Sequence, residues 1–91
     1  MGVKQDLQNA AALLRDGGWC QFDMSDGYGR HCVHGALLVV AGRDNGRFYA
    51  ARDFLRDRVT GGGLMSWNDS PGRTAEEVIA ALEAAAEAAD A

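Results

Sequence analysis

Apolar and polar positions along this chain repeat with a helical period in four stretches. In Val3–Asp16, Val3, Leu7, Ala10, Ala11 and Leu14 share one face, and Lys4, Gln5, Gln8, Asn9 and Arg15 lie elsewhere. That spacing predicts an amphipathic helix. Gly17-Gly18 should end it, with the first glycine taking the left-handed stop conformation. Arg30–Gly42, reading RHCVHGALLVVAG, has no polar stripe after His34. A helix apolar all round must be covered on most sides, so this segment is predicted to be the centre of the core. Gly35 lies inside it, where glycine costs about 1 kcal/mol relative to alanine on an exposed helix. With the small Ala36 beside it, close approach of a neighbouring backbone is the expected reason.

Arg47–Val59 places Phe48, Ala51, Phe54 or Leu55, and Val59 at helical spacing, and Thr60-Gly61-Gly62-Gly63 breaks the chain after it. The last helix is the best marked. Thr74 and Glu77 have capping-box spacing, and Val78, Ile79, Leu82, Ala85, Ala86 and Ala89 form its buried stripe. Two stretches change period. Cys20, Phe22 and Met24 alternate with polar residues in Trp19–Met24, and Leu64–Trp67 follows the glycines, so both read as short strands. A strand pair this small needs helices behind it. The predicted fold is therefore mainly α with some β (α+β). The N-terminal, third and C-terminal helices pack around Arg30–Gly42, and Trp19–Met24 pairs with Leu64–Trp67.

The 91 residues suit one small globular domain, residues 1–91. Charged residues make up 24%, the ordinary globular share, which argues against disorder. The net charge of −4 gives no counterion release on DNA or RNA, so nucleic-acid binding is disfavoured. The one continuous apolar run, Ala36–Ala41, is too short to span a bilayer, and MGVKQDLQNAA lacks a secretory layout. The expected location is the cytoplasm, with both cysteines as reduced thiols.

Four groups of residues carry candidate chemistry. Cys20, His31, Cys32 and His34, with Asp69, could be read as a zinc site. In a helix, however, Cys32 and His34 point nearly opposite ways and cannot share one metal. Cys32 could be a nucleophile in the first turn of its helix, but neither histidine would face the sulfur. The bland alternative is a core cysteine. Trp67-Asn68-Asp69, with Arg73, reads either as a recognition loop or as a fastening. In the second case Trp67 plugs the core, and Asn68 and Asp69 bond backbone amides or pair with Arg30 or Arg73. Arg52 and Arg56, one turn apart, could bind an acidic partner or phosphate. Asp53 and Asp57 interleave with them, which also suits a solvated face of weak ion pairs.

Taken together, R-H-C-V-H-G-A-L at Arg30–Leu37, W-N-D at Trp67–Asp69 and G-R-T-A-E-E-V at Gly72–Val78 resemble a family of small uncharacterised proteins of actinobacteria and their phages. The matching residues are Arg30, Cys32, Gly35, Ala36, Leu37, Trp67, Asn68, Asp69, Arg73, Thr74, Glu77 and Val78. His31 stands where tryptophan is more usual. Arg30, Cys32, Gly35, Thr74 and Glu77 are expected to be structural members of this signature. The resemblance carries over no established enzymatic activity, and no cofactor is expected. It implies a phage or actinobacterial origin, and a host or cellular protein as partner. The expected function is thus a non-enzymatic protein-interaction domain with Trp67, Asn68, Asp69, Arg73, Arg52 and Arg56 as candidate binding residues. The alternative is a small metal- or thiol-dependent enzyme using Cys32 with His31 and His34. Self-association through the alanine-rich last helix is a further structural option.

Overall fold

The structure, a computed structural model, describes residues 2–90. Among these residues five helices follow one another: α1 (Val3–Gly17), α2 (Val33–Ala41), α3 (Asn45–Val59), α4 (Leu64–Asn68) and α5 (Ala75–Ala88). Among the described residues there is no strand, which corrects the expected β pairing. Leu64–Trp67 belongs to α4. Leu64 and Asn68 are both buried there, while Met65 and Ser66 face solvent. A spacing of four puts two residues on one helical face; alternation would have paired Leu64 with Ser66. Trp19–Met24 is irregular. It folds back locally, with isolated bridges from Trp19 and from Ser25 to His31.

The helix at the middle of the contacts is α1 rather than α2. It packs on α5, α2 and α3, and α5 lies along α1 and α3. Leu7, Ala10, Ala11 and Leu14 form its buried face as the period implies. In α2, Val33, Gly35, Ala36, Leu37 and Ala41 are buried, Leu38 and Val40 are half-buried, and Val39 is 53% exposed. The uniform apolar composition of α2 therefore overstated its cover. Nine residues make two and a half turns, and α1, α3 and α4 enclose only part of that circumference.

Helix ends follow local chemistry. Thr74 and Glu77 form the reciprocal capping box of α5, and Asp44 caps α3 by accepting from Arg47 N. At α1 it is the second glycine, Gly18, that leaves the helix, with φ +100°, while Gly17 stays inside. The fully buried Asp6 was not anticipated. It lies on the i, i+4, i+8 row with Ala10 and Leu14, and Arg47 shares the corresponding row with Ala51 and Leu55. Arg47 Nε donates to Asp6 Oδ2 at 3.1 Å, and its Nη2 reaches Val40 O at 3.1 Å. One guanidinium thus ties α1, the end of α2 and the start of α3.

Candidate functional site

Asn68 ends α4 with its side chain fully buried. Its Oδ1 accepts from Trp19 Nε1 at 2.7 Å and from Val33 N at 2.9 Å. Its Nδ2 donates to Cys20 O at 3.2 Å and to Asp69 Oδ1 at 2.9 Å. An asparagine amide offers two donors and two acceptor lone pairs, so all its places are filled. Gln21 adds a second strap, its Nε2 donating to Asn68 O (3.2 Å) and Ser70 O (3.1 Å). Asp69 Oδ1 also accepts from Phe22 N at 2.9 Å. The turn after α4 therefore clasps the loop between α1 and α2 and, through Val33 N, the first residue of α2.

The clasped loop presents aromatic side chains to solvent. Phe22 is 74% exposed and Tyr28 87% exposed, with Met24 between them also exposed. Phe22 has φ +73°, a left-handed conformation that is a genuine outlier for a bulky residue. Backbone bonds brace the loop from within: Cys20 N to His31 O (3.0 Å), His31 N to Gly18 O (3.2 Å) and Cys32 N to Met24 O (3.3 Å). Asp26 Oδ1 accepts from Tyr28 N (2.8 Å) and Arg30 N (3.2 Å), and its carboxylate pairs with the Arg30 guanidinium.

These bonds hold the Asp26 carboxyl below its ordinary pKa of 3.8, the Tyr28 amide contributing most. A carboxyl depressed on folding adds stability above its unfolded pKa and loses it as pH falls through the folded value. The loop should therefore be firm at neutral pH and loosen below pH 3.8. Amide exchange at Tyr28 and Arg30, followed against pH, is expected to show protection disappearing there while α5 amides stay protected.

The candidate residues separate into distinct places. Asn68 and Asp69 form the clasp. Trp67 is half-buried under Arg73, whose guanidinium lies 4.4 Å from the indole centroid and whose Nε donates to Trp67 O at 2.9 Å. Arg73 also reaches Glu77 at 3.3 Å. Arg52 and Arg56 take no part in the clasp. They line a separate cavity with His34 and residues 63–66 at the start of α4. Sequence reading missed Trp19 and Gln21, whose partners lie nearly fifty positions away.

Cys32 is the N-cap of α2, its sulfur accepting from Gly35 N at 3.3 Å. Burial pushes its thiol pKa up, against the opposing pull of the Gly35 and His34 amides. Burial, then the charge of Arg52, holds the His34 imidazole below its usual pKa. Among the described residues no three His, Cys, Asp or Glu side chains gather closely enough to hold a metal ion. Also among the described residues, no helix is long and apolar enough to cross a membrane.

Fold and site together define a small five-helix domain in which an asparagine clasp carries a braced, aromatic-tipped loop. The model of DUF6197, a family of unknown function, matches residues 1–88, and the chain belongs to that family. No curated protein and no solved structure matches it.

Proposed function

We propose that this chain is a non-enzymatic protein-interaction domain whose contact element is the loop carrying Phe22, Met24 and Tyr28. The observation that carries this reading is Phe22, a bulky side chain in a left-handed conformation and mostly in water. A left-handed non-glycine residue costs roughly 1–2 kcal/mol, and among the described residues the ring joins neither the hydrophobic core nor an aromatic pair. Strain of this kind concentrates where a surface is shaped for a ligand. Exposed aromatics are also the side chains that supply most binding energy in protein interfaces. In this reading Asn68 and Asp69 position the loop, and Trp67 and Arg73 support the turn that holds it; none of the four is the contact itself. The partner offers an apolar recess for an aromatic ring. The acidic net charge and Asp23 at the loop tip favour a basic rim around that recess. The resemblance to proteins of actinobacteria and their phages supports a cellular partner, a host protein in the host cytoplasm where the gene is carried by a phage.

Phe22→Gly separates the contact from the fold. Glycine relieves the left-handed strain but loses roughly 0.5–1 kcal/mol of backbone entropy. Thermal stability should stay level or rise slightly. Affinity capture from an actinobacterial lysate, run in parallel on the native chain, Phe22→Gly and Tyr28→Ser, is expected to retain a protein with the native chain that both variants lose. Identical recovery by all three would refute the reading. Recovery of a second copy of the chain alone would replace the cellular partner by self-association.

A further inference from the structure

We propose that the small cavity where α2, α3 and the start of α4 meet binds a phosphomonoester dianion through Arg52 and Arg56, with the His34 ring as a third contact. The cavity measures about 230 Å³ and is lined by His34 of α2, Arg52 and Arg56 of α3, and residues 63–66 at the start of α4. Water occupies about 30 Å³ per molecule in the liquid, so the space holds roughly seven or eight atoms of that size. A phosphoryl group with its ester oxygen takes up about two or three of those water volumes, which leaves room for the first atoms of the esterified group. Pockets that enclose larger organic ligands start near 300 Å³, so a whole nucleotide would project from it into solvent.

Two of the three side chains, Arg52 and His34, are held in advance. Arg52 is stacked 4.7 Å from the Tyr49 ring centroid and 5.8 Å from that of Phe48. Such stacking fixes the guanidinium plane, so little freedom is lost when it binds an oxyanion. Arg52 Nε and Nη2 both donate to the same Asp53 oxygen, at 3.0 and 2.8 Å. Arg56 touches its carboxylates only at longer range, 3.4 Å to Asp53 and 3.5 Å to Asp57. Charge-assisted bonds run about 2.7–2.9 Å when satisfied, so Arg56 keeps most of its donor capacity. Asp53 and Asp57 are the acidic groups that compete for the two arginines. His34 packs edge-on against Phe48, centroids 4.8 Å apart. Its Nδ1 is enclosed with no hydrogen-bond partner. Nδ1 is shut off from water and hence from the cavity, so a ligand there would meet the other edge of the ring that lines it. The same surroundings keep the imidazole neutral, because burial and the Arg52 charge both disfavour its cation. A bound anion would reverse the Arg52 effect.

The test follows the histidine ring signals by NMR while inorganic phosphate or O-phosphoserine is added at constant ionic strength, with chloride as the control salt. His34→Gln assigns the His34 signal against that of His31. A saturable His34 shift is expected, together with a rise in its pKa. Arg56→Gln should weaken binding by roughly tenfold or more; Arg43→Gln, outside the cavity, should not. Tighter binding of phosphoserine than of phosphate marks a monoester ligand; the reverse order would assign free phosphate and overturn the monoester. Non-saturating shifts, shifts matched by chloride, or equal binding by Arg56→Gln and the native chain would overturn the site. Phe22→Gly should leave the titration unchanged, which keeps this outcome separate from that of the interaction loop.

Discussion

Asn68→Ala is expected to remove about 3–5 kcal/mol of folding free energy. The side chain serves Trp19 Nε1, Val33 N and Cys20 O, and alanine leaves all three without that partner. Each buried polar group stripped of its partner costs about 1–3 kcal/mol. A chain of this length has in total only about 5–14 kcal/mol to lose. At roughly 4–8 °C per kcal/mol, the midpoint should fall by about 12 °C or more. Asn68→Asp is the sharper control. A carboxylate can still accept from Trp19 and Val33, but it cannot donate to Cys20 O and sits against Asp69. It should also destabilise, and more so as pH rises. Trp19→Phe removes one donor and leaves the rest of the clasp intact, so it should cost only about 1 kcal/mol for the bond. Urea unfolding of the three variants measures the order. If Asn68→Ala proved no worse than Trp19→Phe, the clasp would not hold the loop.

Which features could be read from the chain alone follows from how local their causes are. The α5 capping box joins residues three apart, Thr74 and Glu77, so four letters of sequence contain it. The face of α1 is a repeat over fifteen residues and survives any tertiary surroundings. The five residues of α4 are too few to show a period, and the Leu64/Asn68 spacing gains meaning only once both are known to be buried. In Trp19–Met24 the alternation was real but pointed to the wrong cause. Phe22 and Met24 are exposed, so no core accounts for their apolar side chains. The left-handed turn at Phe22 is fixed by Asp69, forty-seven positions away. The fastening role of Asn68 and Asp69 was legible as a class, since short polar side chains hold turns. Their partners were not. They bond the Val33 and Phe22 amides, and neither pairs with Arg30 or Arg73. The charged rows at Asp6 and Arg47 were in principle readable, because each continues an apolar i+4 series.

Gly35→Ala sets the second large expectation, and here helix propensity and packing pull in opposite directions. In an exposed helix the change would stabilise by about 1 kcal/mol. In α2 an added Cβ would sit 2.1 Å from the Met24 carbonyl oxygen and 2.9 Å from its carbon. Those atoms are backbone, and the oxygen accepts from Cys32 N at 3.3 Å, so no side-chain rotation relieves the overlap. The loop must move by about an ångström. Overpacking of this kind costs about 1–3 kcal/mol, and the Cys32–Met24 bond adds about 0.5–1.5 kcal/mol if it breaks. Packing therefore wins, with a net loss of about 2 kcal/mol at the middle of those ranges. The damage should also be directed. Cys32 caps α2 and Met24 belongs to the aromatic loop, so displacement at Gly35 reaches the segment that presents Phe22. Amide exchange in Gly35→Ala is expected to rise first at residues 20–32 and at the start of α2, with α5 little changed. A variant as stable as the native chain would mean that the loop backbone is not seated on Gly35.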